Sequence, residues 1–100
     1  MNTKFTEQVY NITKRIPKGK ISTYGEIAKA LNSKAYQAVG HALHKNPYAP
    51  IVPCHRVINS NGKIGGFASG TENKIKLLKK EGIKIKNNKI INFKKVVFRF

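Results

Sequence analysis

Residues 21–45 read ISTYGEIAKALNSKAYQAVGHALHK and predict two short helices joined by a tight turn. Thr23 and Glu26 form a Thr-x-x-Glu capping box, in which each side chain satisfies a free N–H group at the start of a helix. The Asn-Ser pair at 32–33 breaks this helix, after which apolar residues return at helical spacing. Such a pair is typical of a helix-turn-helix motif, expected over about residues 23–45, although any two helices with a short connection give the same pattern.

One helix is predicted before this motif and one after it. Apolar residues spaced three and four apart predict the first helix over roughly Thr3 to Arg15, ahead of Pro17. Thr71 is expected to cap a fourth helix that runs to Glu81 and is closed by Gly82.

The tail of residues 83–100 changes character and is strongly basic. Ile83 to Lys86 alternates apolar residues with lysine, an Asn-Asn pair suits a tight turn, and Lys89 to Phe93 is β-prone. We therefore expect one domain over residues 1–100 that is mainly α, with four or so helices and a small C-terminal β-hairpin.

The composition is strongly basic, with 20 Lys and Arg residues against four Glu, no Asp, and a formal net charge of +16. Such a surface attracts polyanions, so nucleic acid is the predicted partner, and thermal adaptation is the alternative explanation of a lysine-rich surface. No segment approaches the roughly 20 apolar residues that span a bilayer, and the N-terminus lacks a secretory signal. With its single cysteine, the protein is expected to be cytoplasmic, or nuclear in a eukaryote, and not bound to a membrane.

Residues 52–58 hold the chemically richest part of the sequence, because Cys54 is followed directly by His55 and Arg56. A thiol reacts as the thiolate, and a neighbouring imidazole or cation favours that form. Adjacent strand residues point to opposite sides, so His55 reaches the thiol only if the chain turns near Pro53. Two alternatives stay open here: an inert buried cysteine, and a zinc site with the histidines of the preceding helix, whose spacing fits no common zinc motif.

Residues 52–57, Val-Pro-Cys-His-Arg-Val, resemble the active-site motif of the O6-alkylguanine-DNA alkyltransferases. Further segments resemble this family in the same order along the chain: ISTYGEIA at 21–28, AVG at 38–40, KNP at 45–47, GGF at 65–67 and LLKKEG at 77–82. The resemblance covers roughly Phe5 to Ile85, and the additional N-terminal domain of the family is not expected in this chain.

This resemblance implies a winged-helix-like helix-turn-helix domain that enters the minor groove of double-stranded DNA and rotates the damaged nucleotide out of the stack. It also implies transfer of the alkyl group from O6-alkylguanine in DNA to Cys54 in a single irreversible turnover. The reaction needs no metal or other cofactor, and the protein is expected to act as a monomer.

The resemblance also assigns roles to individual residues. Cys54 is the alkyl acceptor, His55 its general base through a water, and Glu81 the carboxylate that orients the imidazole. Tyr24 helps to rotate the nucleotide and donates a proton to the departing guanine, while Asn46 braces the recognition helix against the active-site turn. The residues expected to contact DNA are Ala35, Tyr36, Gln37, Ala38, Gly40, Leu43 and Arg56, of which the last is expected mainly to brace the site. Those expected to line the base pocket are Val57, Phe67, Ala68 and Ser69.

Gln37 departs from the family pattern, which places an arginine here to fill the hole left by the extruded base. Glutamine still forms hydrogen bonds but lacks the guanidinium plane and its charge. Two other functions therefore stay open. One is a non-catalytic alkyl-lesion or general DNA-binding protein of the alkyltransferase-like type, against which the presence of Cys54 argues, and the other is a thiol hydrolase built on Cys54 and His55.

Overall fold

The computed structural model describes residues 3–49, 51–65 and 70–100 of the chain. Within these residues there are five helices, one 3-10 turn and two short two-stranded sheets. In chain order the elements are α1 (Thr3–Thr13), β1 (Ser22–Thr23), α2 (Tyr24–Ala30), α3 (Tyr36–His44), the 3-10 turn (Cys54–Arg56), β2 (Val57–Ile58), α4 (Thr71–Lys80), β3 (Ile85–Lys86), β4 (Lys89–Ile90) and α5 (Phe93–Val96). No helix of this part of the chain is both long and apolar enough to cross a membrane.

The predicted helix-turn-helix consists of α2 and α3. The Thr23 hydroxyl accepts a hydrogen bond from the Glu26 N–H at 3.0 Å and caps α2 as predicted. The other half of the capping box differs from prediction, because the Glu26 carboxylate accepts from Arg99 Nη1 at 3.1 Å. Asn32 has a left-handed φ of 57°, which a short polar side chain tolerates, and this residue turns the chain from α2 into α3. The tight connection lets α2 and α3 pack on one another and on α1.

These three helices surround what we call the first core. Its buried members are Val9, Ile16, Ile27, Ala28, Val39, Ala42, Leu43, Val52, Cys54 and Val57. The Tyr10 hydroxyl donates to the Ala42 carbonyl at 2.9 Å and ties α1 to α3. The candidate nucleophile therefore lies at the edge of an apolar cluster rather than on an open loop.

A short parallel sheet joins the helix-turn-helix to the active-site segment. Ser22 and Thr23 of β1 pair with Val57 and Ile58 of β2. On the other side of β1, the C-terminal segment runs parallel to Ile21, which donates to the Val96 carbonyl at 2.9 Å and accepts from the Phe98 N–H at 2.6 Å. The basic tail is thus built into the fold along the free edge of β1.

The tail contains the predicted hairpin. Strands β3 and β4 pair in antiparallel fashion through the turn residues Asn87 and Asn88, whose φ angles are 52° and 61°. Two successive residues with positive φ match the turn that suits the twist of a two-residue hairpin. The predicted β structure from Lys89 to Phe93 is too long, because β4 ends at Ile90 and Phe93 begins the short helix α5, which was not predicted.

A second core lies beneath this hairpin. Its buried members are Ile21, Ile58, Ile64, Leu78, Ile83 and Ile90, with Ile75, Ile85, Phe93, Val96 and Val97 packed against them. It joins β2, α4, the hairpin and α5 into one layer.

The helix ends differ from prediction in two places. The first helix ends at Thr13 rather than Arg15. The expected cap by Thr71 is wrong, because Gly70 occupies the capping position with a φ of 96° and Thr71 is the first helical residue. The glycine makes the sharp turn into α4 and no side chain forms a cap hydrogen bond there.

Candidate active site

The chain turns at the candidate nucleophile, as the Cys-His pair requires. Residues Cys54–Arg56 form a single 3-10 turn, closed by a hydrogen bond from the Arg56 N–H to the Pro53 carbonyl at 2.9 Å. Because the turn is helical rather than extended, Cys54 and His55 are not forced to opposite faces. Cys54 is 8% exposed and His55 is 3% exposed, so both lie just below the surface.

A carboxylate holds the imidazole in place. His55 Nε2 lies 3.1 Å from Glu81 Oε2, which follows the last turn of α4. When Nε2 carries the proton of the neutral ring and donates it to Glu81, Nδ1 is left as the acceptor. An imidazole fixed in this tautomer can take a proton from a thiol, directly or through a water.

Burial and hydrogen bonding set the protonation states of this pair. Burial lowers the pKa of His55 below 6.5, and the Glu81 carboxylate opposes this shift without reversing it. Burial alone would raise the pKa of Glu81, but hydrogen bonds from Arg56 and His55 outweigh it and the pKa lies below its ordinary value. At neutral pH the site therefore holds a neutral imidazole beside an ionised carboxylate.

Arg56 braces the site from within the protein. Its Nε donates to Glu81 Oε1 at 2.8 Å, its Nη2 to Glu81 Oε2 at 2.6 Å, and its Nη1 to the Ile16 carbonyl at 3.0 Å. The side chain is 16% exposed. Its guanidinium is therefore engaged by α4 and by the end of α1, and the geometry favours the bracing role over the expected DNA contact.

Asn46 makes the connection that its predicted bracing role requires. Its Nδ2 donates to the Val52 carbonyl at 2.8 Å, and its Oδ1 accepts from the Tyr48 N–H at 2.9 Å. One side chain thus joins the segment after α3 to the residues just before Cys54.

Lys74 was not among the residues predicted from the sequence. This residue of α4 is 0% exposed, and its Nζ donates to the Val57 carbonyl at 2.7 Å. Burial lowers its pKa to about 8, although the charge on Cys54 acts in the opposite direction. Its one sequence signal is its position four residues before the buried Leu78, on the apolar side of an otherwise lysine-rich helix. The structure thus places a buried cation beside the strand that follows the active-site turn.

Tyr24 lies at the start of the helix-turn-helix and packs against the first core that contains Cys54. It is the first residue of α2, and its ring contacts Gly40 of α3, where an added Cβ would meet Cδ1 at 3.7 Å. Burial raises its pKa, and the charge on Cys54 adds to this shift, so Tyr24 stays protonated at neutral pH. Its ring centroid is 6.0 Å from Lys74 Nζ. A phenol in this position is able to donate a proton.

The face of α3 expected to contact DNA is largely open. Ala35, Tyr36, Gln37 and Ala38 are exposed, whereas Gly40 is half-buried against Tyr24. Leu43 does not belong to this face, because its side chain is 4% exposed and packs in the first core. Its expected DNA contact is corrected accordingly to a packing role.

Tyr24 and Tyr36 also line a surface cleft of about 420 Å³ beside this face, with Gly25, Asn59, Ser60 and Asn61 on its far side. Val57 is fully buried beside Cys54. The other residues expected to line the base pocket, Phe67, Ala68 and Ser69, lie outside the described residues. The cleft therefore adjoins α3 on the side of the active-site strand.

The residues of the zinc alternative do not gather at one place. His41 and His44 are exposed on α3, whereas Cys54 and His55 are buried in the 3-10 turn. Across residues 3–49, 51–65 and 70–100, no three side chains of His, Cys, Asp or Glu are placed to hold a metal ion.

The fold and the site together define a helix-turn-helix domain with a cysteine in a tight turn beside a carboxylate-bound histidine. The family described as 6-O-methylguanine DNA methyltransferase, DNA binding domain, matches residues 4–83, and the chain belongs to this family.

Two curated relatives illustrate the sequence similarity. The methylated-DNA--protein-cysteine methyltransferase of Methanosarcina acetivorans is 57% identical over 81 residues, which are 80% of this chain and 52% of the relative. The protein of the same name from Thermococcus kodakarensis is 48% identical over 83 residues, 82% of this chain and 47% of the relative. The chain thus spans about half the length of these relatives.

Two solved structures show different extents of similarity. Mycobacterium tuberculosis OGT in complex with DNA has a TM-score of 0.77 and 43% identity, and the match covers 81% of this chain and 51% of that one. S. pombe Atl1 in complex with damaged DNA containing O6-carboxymethylguanine has a TM-score of 0.86 and 32% identity, and the match covers 100% of this chain and 99% of that one. The tail has a structural counterpart in the second neighbour.

Proposed function

We propose that this protein repairs DNA by transferring the alkyl group of O6-alkylguanine to the sulfur of its own Cys54, once per molecule. The observation that supports this most directly is the arrangement of His55, Glu81 and Arg56 around the turn that holds Cys54. The family membership supports the same reaction, and the complexes of OGT and Atl1 with DNA support DNA as the partner.

The reaction is a single nucleophilic substitution. The thiol proton passes to Nδ1 of His55 through a water, and the thiolate attacks the alkyl carbon. An S–C bond forms as the C–O6 bond breaks, and the electron pair of that bond stays with the guanine. Tyr24 supplies the proton that makes the departing base neutral, and the imidazolium returns a proton to the phenolate through solvent. The thioether has no activated leaving group, so each molecule reacts once.

The positions of the surrounding groups favour this sequence of steps. The lowered pKa of His55 keeps the imidazole neutral and able to accept a proton at physiological pH. The raised pKa of Tyr24 keeps its hydroxyl protonated until the base departs. The buried Lys74 ammonium, held by the Val57 carbonyl at 2.7 Å, stabilises negative charge near the thiol in a water-poor site.

The exposed face of α3 serves to reach the damaged base. Its small side chains Ala35 and Ala38 allow close approach to a groove, and Gln37 takes the position of a group that fills the space of the rotated nucleotide. Glutamine supplies hydrogen bonds there without the planar charge of arginine. Alkylated guanine pairs weakly, which lowers the unstacking free energy that the protein must supply.

The test measures the mass of the intact protein after incubation with a duplex containing O6-methylguanine. We expect one added methyl group per molecule, located on the peptide that contains Cys54, and none with Cys54→Ser. The variant His55→Gln should react about 100-fold more slowly or worse. The matched control is His44→Gln, because His44 is exposed on α3 and lies outside the site. An unmodified Cys54 with lesion DNA in excess contradicts the proposal.

A non-catalytic lesion-binding protein is the second candidate. The observation in its favour is the Atl1 match, which extends over 100% of this chain, whereas the OGT match covers 81%. Tight binding of the lesion duplex with Cys54 unmodified after hours would establish this function instead. Transfer in excess of one alkyl group per protein would point to the thiol hydrolase.

A further inference from the structure

Three lysines form a row at the tip of the hairpin and the loop beside it. Lys86 of β3 lies directly opposite Lys89 of β4, and on its other side Lys89 pairs with Lys63. Residues opposite one another in antiparallel strands project from the same face, with Cβ atoms roughly 5 Å apart. We call Lys63, Lys86 and Lys89 the lysine row.

In the absence of a ligand, the lysine row lowers the stability of the folded protein. Like charges directly opposite one another destabilise a strand pair. All three lysines are exposed, and the ion pairs of the described residues involve only Glu26 and Glu81 as acids, each with other partners. An arrangement of this kind becomes favourable when a polyanion with closely spaced negative charges lies across it.

The row is held rigidly in place by the fold. Ile64 donates to the Asn88 carbonyl at 2.9 Å, and Ile90 donates to the Gly62 carbonyl at 3.0 Å. Phe93 of α5 lies against Gly62, where an added Cβ would meet its Cδ1 at 3.6 Å. Below the strands, Ile64 and Ile90 are buried in the second core. The backbone positions of the three lysines are therefore fixed before any ligand arrives.

The row is also continuous with the cleft beside α3. Asn61 lines that cleft, and its Oδ1 accepts from the N–H of Lys63 at 3.0 Å. Two residues span at most about 7 Å, so Lys63 begins within that distance of the cleft. On the other side of the cleft, Tyr36 belongs to the exposed face of α3.

We propose that the lysine row is a second DNA contact, which binds phosphates of the duplex beside the groove occupied by α3. This inference takes DNA as the partner from the proposed function and adds a site of which Lys86 and Lys89 lie outside the residues 4–83 that match the family, since β3 and β4 lie beyond them. The row binds the backbone without reading bases, because ammonium groups contact phosphates as point charges.

The test compares two triple variants of equal net charge. Lys63→Gln/Lys86→Gln/Lys89→Gln removes the row, and Lys4→Gln/Lys14→Gln/Lys18→Gln removes three exposed lysines that neither line the cleft nor pair with the hairpin. Binding to an undamaged duplex is measured over a range of salt concentrations. This substrate requires no alkyl transfer, so the result is independent of whether Cys54 reacts.

We expect the slope of log affinity against log salt to fall in magnitude by about 2 to 3 in the row variant, because each lost phosphate contact removes about 0.9. In the control variant the slope should change by less than about 1. The row variant should melt at the same temperature as the wild type or higher, since like-charge repulsion is removed. Replacing the three lysines by arginine should preserve the slope. An unchanged slope in the row variant, or equal changes in both triples, would overturn the proposal.

Discussion

The first core is formed mainly by residues 5–57, whereas the second core joins segments that extend from Ile21 to Val97. The first contains Cys54 and packs against Tyr24. Two further groups of the site come from α4 and its end, where Lys74 and Glu81 lie. The candidate site therefore draws on both halves of the molecule, with Cys54, His55 and Tyr24 from the first and Lys74 and Glu81 from the second, and the proposed reaction depends on how the halves pack together.

The largest expected effect tests how far both cores depend on the tail. Removing residues 84–100 takes Ile90, Phe93, Val96 and Val97 out of the second core and Phe98 and Phe100 away from the first. Full burial of an apolar side chain contributes about 1.5–3 kcal/mol, so the loss of Ile90 and of several partly buried side chains is large beside the about 5–15 kcal/mol of a small domain. We expect no cooperative thermal unfolding by circular dichroism. Removing only Arg99 and Phe100 is the control and should leave a cooperative transition. A truncated protein that melts within a few degrees of the wild type would show that the tail contributes little to either core.

The next effect concerns the hydrogen bonds that join the two halves at Glu81. Glu81→Gln removes the charge that holds His55 and Arg56, and we expect a loss of about 2 kcal/mol and transfer slowed at least about tenfold. Because the folded pKa is lowered, the wild-type contribution is present above the ordinary value of 4.5 and is lost as pH falls through the folded pKa. The acid limb of the stability curve should therefore flatten in the variant. Glu72→Gln, on the exposed first turn of α4, is the matched control and should keep both stability and rate.

Lys74→Met separates stability from reactivity. The pKa of Lys74 falls from 10.5 unfolded to about 8 folded, so the unfolded chain binds more protons between these values and stability rises with pH across them. With about 1.4 kcal/mol per pKa unit, burial of the charge costs about 3 kcal/mol below pH 8. We expect the variant to be as stable as the wild type at pH 7 or more so, to lose this alkaline rise, and to transfer about tenfold more slowly. A slow variant that is also strongly destabilised would mean that Lys74 acts through packing.

The smallest expected change in stability comes from a substitution in the hairpin turn. Asn88 has a φ of 61°, which glycine adopts at lower cost, so Asn88→Gly should stabilise the protein by about 0.5 kcal/mol. Asn73→Gly, in the exposed face of α4, should instead destabilise it by a few tenths of a kcal/mol. Chemical unfolding measures both. Neither change should alter transfer, and a slower reaction in Asn88→Gly would show that the turn is coupled to the thiol.

The sequence predicted the features of the fold that are formed by residues close together in the chain. The Thr23–Glu26 cap opens α2, the Asn-Asn pair turns the hairpin, and the chain turns at Cys54 as the pair with His55 requires. In each case the deciding interaction lies within a few residues, so the pattern alone specifies it.

Such local patterns do not predict contacts between residues far apart in the chain. Nothing local indicates that Val97 pairs with Ile21, or that Arg56 bonds to the carbonyl of Ile16. Lys74 lies among exposed lysines of the same helix, and only the packing of α4 against the active-site turn makes it the buried one. The roles of Cys54 and Tyr24 came from family resemblance, and they stay predictions until transfer is measured.

The hydrogen bonds of Arg56 bear on the order in which the chain folds. They close loops of 25 residues to Glu81 and 40 residues to Ile16, and closing such loops costs conformational entropy before the contacts offset it. A chain that has not been synthesised past Glu81 lacks the carboxylate that holds His55. Under the proposed function, the imidazole of such a chain has no orienting partner, and we expect Cys54 to be less reactive until α4 and Glu81 are in place.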